Sequence, residues 1–181
     1  PRTNMLAMIH MSNALGTIVP MTDVIRIARS VGAIILVDGC QAICHSRIDV
    51  QALDVDFYVF SGHKIYGPSG IGVLYGKRDL LEAMPPYQGG GEMIATVTFD
   101  RITYADLPHK FEAGTPAIAQ AIALKPAIEY IEALGIENIG DHEHDLLAYA
   151  TEQMTAIDGV HIVGTARNKA SILSFVMDDA H

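Results

Sequence analysis

Two apolar runs of this sequence stop at residues able to do chemistry. Residues 33–37 end at Asp38, and residues 55–60 end at Ser61-Gly62-His63-Lys64. The second set joins a hydroxyl, an imidazole and an amine; the first adds a carboxylate. An amine of this kind can attack a carbonyl carbon, and the hydroxyl and imidazole suit an anionic group. Each residue also has a plainer reading. Asp38 has Gly39 behind it and suits a helix cap. A lone lysine in a loop is nearly always solvated, although Lys64 follows an apolar run and precedes Ile65-Tyr66-Gly67-Pro68. Alone, His63 reads as a hydrogen-bonded structural histidine and Ser61 as a turn residue.

A scaffold must bring these residues together. Residues 5–11 read as a buried strand, broken by Ser12-Asn13-Ala14-Leu15-Gly16. Val24, Ile27, Ala28 and Val31 fall at helical spacing and predict a helix over 23–31, with Gly32 able to supply a left-handed end. Strands are expected over 33–37, 55–60 and 70–75, and a short helix over 40–44. Near-continuous apolar strands alternating with helices indicate an α/β fold with a parallel or mixed sheet. In open α/β sheets ligands bind at the carboxyl ends of the strands, where Asp38 and Lys64 stand. Residues 88–111 read as a long irregular stretch opened by Gln88-Gly89-Gly90-Gly91, and loops of that length are often functional. Helices are expected over 116–134 and 137–157, the first kinked or split at Pro126. Strands over 160–163 and 172–177 suggest the start of a second domain. The expected division is therefore 1–136 and 137–181.

Composition removes several classes of function. The 181 residues carry 12 Lys and Arg against 21 Asp and Glu, a net charge of -9. Phosphate contacts to nucleic acid need clustered cations, and none cluster here. No apolar run approaches the roughly 20 residues that cross a bilayer. Cys40 and Cys44 give neither a disulfide framework nor a second pair for zinc, so a reduced, cytoplasmic protein is expected. His142 and His144 are two apart on a predicted helix and do not share a face. They read as part of a solvated, charged surface.

An aldehyde cofactor with a pyridine ring and a phosphate needs a lysine amine, a carboxylate against the ring nitrogen, and donors around the phosphate. Lys64, Asp38, Ser61 and His63 supply those types. The strings Val37-Asp38-Gly39-Cys40-Gln41-Ala42 and Ser61-Gly62-His63-Lys64-Ile65-Tyr66-Gly67-Pro68-Ser69-Gly70-Ile71-Gly72 resemble the cofactor motifs of class V aminotransferase-fold enzymes. The resemblance is greatest to the SufS-type (group II) cysteine desulfurases. Supporting strings follow in the same order: His10-Met11-Ser12-Asn13-Ala14-Leu15-Gly16, Gly89-Gly90-Gly91-Glu92-Met93-Ile94 and Phe111-Glu112-Ala113-Gly114-Thr115-Pro116.

The resemblance implies a fold-type I pyridoxal 5'-phosphate enzyme: a mostly parallel sheet flanked by helices, then the start of a smaller C-terminal α+β domain. Lys64 would hold the cofactor covalently and later move the substrate's α proton. Asp38 would pair with the pyridinium nitrogen, and Gln41 would bond the ring's phenolic oxygen. Ser61 and His63 would hold the phosphate, and Asn13 would lie near substrate and ring. Thr115 would reach the phosphate of the other subunit of a homodimer. L-cysteine would become L-alanine, with the sulfur left on an enzyme cysteine as a persulfide for an acceptor protein and iron–sulfur cluster assembly. L-selenocysteine is a second implied substrate.

The family's cysteine nucleophile and its carboxylate-binding arginine would lie beyond His181, and its ring-stacking histidine before Pro1. The chain is thus expected to be the middle of a longer enzyme and inactive alone. Cys40 and Cys44 read as small packing residues. Lys110 stands where arginine is usual, and the two cations are not interchangeable at bidentate sites. A selenocysteine lyase, an epimerase and an aminotransferase share the class V motifs. A non-catalytic binding module is the alternative from another class.

Overall fold

The computed structural model describes residues 2–179. Pro1, Ala180 and His181, which end the two expected domain ranges, lie outside the described residues. The first sheet has strands in sequence order: β1 (Met5–Ile9), β2 (Ile34–Asp38), β3 (Phe57–Ser61) and β4 (Gly72–Gly76). The first three run parallel, with Ile9 opposite Asp38 and Asp38 opposite Val59. Strand β4 returns antiparallel, so the sheet is mixed.

Helix α1 (Met21–Ser30) links β1 to β2 and covers one sheet face. Its Met21, Ile25 and Ala28 are buried at helical spacing against Ile35, Val37, Val55 and Tyr58. Full burial of an aliphatic side chain contributes roughly 1.5–3 kcal/mol, and Ile35, Val37 and Val55 are each 0% exposed. Gly32, at φ +71°, turns the chain from α1 into β2. The opposite sheet face leaves Met5, Ile9, Ile34 and Leu74 exposed.

The amino ends of the strands close on a charge cluster. Asp56, 4% exposed, receives both guanidinium nitrogens of Arg29 at 2.7 Å and the Ile35 amide at 2.8 Å. Lys77 lies 3.3 Å from the same carboxylate. Arg29 also donates to the Asp54 peptide oxygen at 2.6 Å. Asp54 ends the short helix α2 (Val50–Leu53) in a left-handed conformation.

Helix α3 (Arg78–Ala83) was not expected from the sequence. The Lys110 ammonium donates to its C-terminal carbonyls, Leu81 O at 3.1 Å and Glu82 O at 2.9 Å, and lies 5.3 Å from the Phe111 ring. The stretch expected to be irregular holds a hairpin, β5 (Ile94–Val97) and β6 (Ile102–Tyr104). Its apolar Val97, Phe99 and Ile102 are exposed, so no buried face marks it in the sequence.

Helix α4 (Ile118–Leu134) runs through Pro126 without splitting. The proline is exposed, and so is Ile122, whose carbonyl loses its helical donor; water can satisfy that group. Gly135 then turns the chain into α5 (Ile136–Thr155) at φ +81°. Strands β7 (Val160–Val163) and β8 (Ser174–Met177) form a separate antiparallel pair. The connection between them docks on the turn after β1: Ile18 donates to Asn168 O at 3.1 Å, and Ala170 donates to Gly16 O at 2.8 Å. Among the described residues no helix is long and apolar enough to cross a membrane.

Candidate functional site

Three parallel strands deliver their carboxyl ends to one edge, each followed by a loop with a predicted site residue. The turn after β1 carries Asn13. Strand β2 ends at Asp38 and the turn after it carries Gln41; strand β3 ends at Ser61 and the turn after it carries His63 and Lys64.

Asp38 is half-buried and fixed by its own loop. Its Oδ1 accepts the Cys40 amide at 2.9 Å, and its peptide oxygen accepts the His10 amide at 2.8 Å. Gly39 donates to Val59 O at 2.8 Å, which locks the turn to β3. Glycine is required there, because a Cβ on Gly39 would lie 2.0 Å from the Tyr58 ring. Tyr58 is 2% exposed, and its hydroxyl meets His10 Nδ1 at 3.1 Å. Burial pushes the Tyr58 hydroxyl above its usual range, and the Asp38 charge adds to this. Burial also lowers the His10 pKa. Tyr58 and His10 support the Asp38 turn from below. Sequence reading missed this pair, which lies 48 positions apart with no local signal.

The turn after β3 is equally specified. Gly62 donates to Ile71 O at 2.8 Å, and Gly67 donates to Gly62 O at 3.0 Å. Ile65 is buried against Cys44 and Leu124, leaving Lys64 half-buried and His63 exposed. Tyr66, at φ +61°, lets the chain leave the short helical turn over Gly62–Ile65. Gln41 precedes a matching turn over Ala42–Cys44, shorter than the helix expected over 40–44. Burial raises the Cys44 thiol to about 11; the Glu143 charge adds to this and the Lys64 ammonium opposes it. Glu143 itself pairs with His45 at 2.6 Å. Among the described residues no carboxylate lies within ion-pair distance of Lys64.

The two turns meet where the Cys40 thiol donates to Ser61 Oγ at 3.8 Å. Asn13 is exposed in a turn whose Ser12 hydroxyl accepts the Ala14 and Leu15 amides at 3.3 and 3.1 Å. Thr115 stands apart in the exposed link before α4, and no hydrogen bond joins it to the Asp38–Lys64 group among the described residues. Its neighbour Gly114 donates to Gly91 O at 2.8 Å, which joins the glycine-rich loop to that link.

The arrangement can accept a ligand that is cationic or protonated at one end and anionic at the other. One carboxylate oxygen of Asp38 is occupied by its own loop. Among the described residues the Lys64 amine has no carboxylate partner, and a hydroxyl and an imidazole stand beside it in sequence. This donor set fits a pyridine ring bearing an aldehyde and a phosphate.

The whole of residues 1–181 matches the family model "Aminotransferase class-V". The chain belongs to the aminotransferase class-V family. This class V chain is 52% identical over 177 residues to a probable cysteine desulfurase of Mycolicibacterium paratuberculosis, covering 98% of this chain and 26% of that protein. It is 48% identical over 181 residues to a cysteine desulfurase of Cronobacter sakazakii, covering 99% of this chain and 44% of that one. Among solved structures it superposes on the cysteine desulfurase CsdA of Escherichia coli with a TM-score of 0.94 at 41% identity, over 99% of this chain and 45% of that one. A C-DES variant with glycine covalently linked to its PLP cofactor gives a TM-score of 0.87 at 26% identity, over 98% of this chain and 48% of that one. The class V chain therefore spans between a quarter and just under half of the lengths of these proteins. The fold is that of the fold-type I pyridoxal-phosphate enzymes.

Proposed function

We propose that the protein is a pyridoxal-phosphate-dependent cysteine desulfurase. It would convert L-cysteine to L-alanine and pass the sulfur to an enzyme cysteine as a persulfide. The observation that carries this reading is the junction of two turns at adjacent parallel strand ends. One bears a fixed carboxylate and the other a lysine with no carboxylate in ion-pair distance among the described residues. About half of the residues are shared with named cysteine desulfurases.

The residues divide the work. Asp38, oriented through Oδ1 by the Cys40 amide, would offer its other oxygen to a protonated ring nitrogen. Gln41 would donate to the ring's phenolic oxygen, and Ser61 and His63 to the phosphate. Lys64 would bind the cofactor carbonyl carbon and afterwards carry the proton at the substrate α carbon, with Asn13 beside it. When bound, the cofactor supplies an electron sink for the pair left on that carbon. Thr115, exposed in the link before α4, would serve the second subunit of a homodimer.

The finer assignment to the SufS-type (group II), an acceptor protein in iron–sulfur cluster assembly, L-selenocysteine as a second substrate and a cytoplasmic setting belong to the same proposal. They rest on the ordered motifs and on the two free cysteines. The division at 136/137 is proposed too, next to the Gly135 turn.

Borohydride treatment in the presence of pyridoxal phosphate tests the reading. A pyridoxyl group should appear on the peptide containing Lys64, and cysteine should yield one alanine per sulfur released. No label on Lys64 would remove the reading. Sulfur release without alanine would replace the desulfurase with a carbon–sulfur lyase of the same family.

A further inference from the structure

We infer that Cys40 is a positioning residue for the phosphate end of the site: its thiol donates to Ser61 Oγ and leaves the seryl proton free for a bound phosphate. The inference rests on the pyridoxal-phosphate reading above and assigns a residue that reading leaves unused.

A serine hydroxyl has one proton to give and two lone pairs that accept. Left alone at a strand end, it can spend that proton on any nearby carbonyl. If a neighbour occupies an acceptor position, the proton is directed elsewhere. The Cys40 sulfur lies 3.8 Å from Ser61 Oγ as donor, a distance suited to the larger sulfur atom. Its position is held from the backbone side. The Cys40 amide is bound to Asp38 Oδ1 at 2.9 Å, and the preceding Gly39 amide to Val59 O at 2.8 Å. Cys40 thus touches both halves of the site. Its amide orients the carboxylate meant for the ring, and its thiol orients the hydroxyl meant for the phosphate.

Cys40 is suited to donating and poorly suited to attack. Burial raises its pKa, hydrogen bonding and charge from the Asp38 carboxylate add to that, and the Ser61 hydrogen bonds oppose it only in part. At neutral pH the group is a thiol with a proton to donate. The reactive form of cysteine is the thiolate, which this environment disfavours.

A double-mutant cycle on pyridoxal phosphate binding, read by equilibrium dialysis, tests the role. Loss of one weak neutral hydrogen bond should raise the dissociation constant about threefold in Cys40→Ala, and loss of a direct phosphate donor about tenfold in Ser61→Ala. The double variant should bind no more weakly than Ser61→Ala, because the thiol acts only through that hydroxyl. The phosphorus NMR shift of the bound cofactor should move in Cys40→Ala. Cys40→Val fills the side-chain volume, with a little to spare, without the donor and must show the same loss; it carries the test if Cys40→Ala fails to fold.

Unchanged binding in both single Cys40 variants overturns the inference. So does a threefold loss that persists in the Ser61→Ala background, or a loss in Cys40→Ala that Cys40→Val does not share, which is a packing effect. Failure of the unaltered protein to bind pyridoxal phosphate removes the functional reading and this inference together.

Discussion

The two ends of the same strands use the same residue types to opposite effect. At the amino ends, Asp56 meets Arg29, Lys77 and the Ile35 amide, and its whole accepting capacity is taken. At the carboxyl ends, Asp38 has one oxygen held by its loop, and among the described residues Lys64 has no carboxylate within ion-pair distance. A buried charge with no spare capacity can only hold the fold together. A half-satisfied carboxylate and an unpaired amine, both partly exposed, are what a ligand needs.

The largest effect should come from removing the amine. Lys64→Ala should abolish the borohydride-stable pyridoxyl label completely, while the unfolding free energy from urea denaturation falls by no more than about 1 kcal/mol, as for a half-buried side chain outside any ion pair among the described residues. A severe loss of stability would make Lys64 structural and break the contrast between the two ends.

Asp56→Ala should do the reverse. Breaking a buried pair by removing one partner costs about 3–5 kcal/mol. Arg29 is 31% exposed and water can recover part of it, so the lower end, about 3 kcal/mol by urea denaturation, is expected. Each folded molecule should still take the label on Lys64. Loss of labelling in folded protein would show that the two ends are coupled.

Gly39→Ala sharpens the comparison inside the site. The new methyl would lie 2.0 Å from the ring of a tyrosine 2% exposed, which has nowhere to move. Overpacking of this kind costs about 1–3 kcal/mol. Here it should also displace the Asp38 turn, so pyridoxal phosphate binding should weaken about tenfold or more, since a lost charged hydrogen bond is worth about 1.5–3 kcal/mol. Stability loss with binding intact would make Tyr58 mere core.

The elements that position the site were legible where one local pattern decided them. Strands β2 and β3 are short continuous apolar runs, the pattern of parallel strands, although only the face toward α1 is fully buried. The residues that stop them, Asp38 and Lys64, therefore stand out. Long-range satisfaction was not legible. Arg29 finds Asp56 27 positions on, and Tyr58 finds His10 48 positions back. No local spacing announces either meeting. The hairpin β5–β6 escaped because its apolar residues face solvent, and Pro126 misled because its cost depends on which helix face it occupies. Lys110, read as a weakened substitute for arginine, serves as a cap for α3 in this chain.

Acid titration should separate the two ends by their pH windows, with the smallest effect of the series. Burial pushes the Asp56 carboxyl up, but the Arg29 guanidinium, the Ile35 amide and Lys77 outweigh it and hold the pKa below the ordinary 3.8. A depressed carboxylate contributes stability above that ordinary value and loses it as the pH falls through the folded one. His10 works in a different window. Burial holds its pKa below 6.5, so the folded state resists the proton that the unfolded chain accepts. Stability should therefore already decline as the pH drops below 6.5, well before the carboxylate step. His10→Gln should erase the first step and leave the second; Asp56→Asn should do the opposite. Loss of both steps in either variant would mean that the sheet transmits charge from one end to the other, and the two ends could no longer be treated as independent.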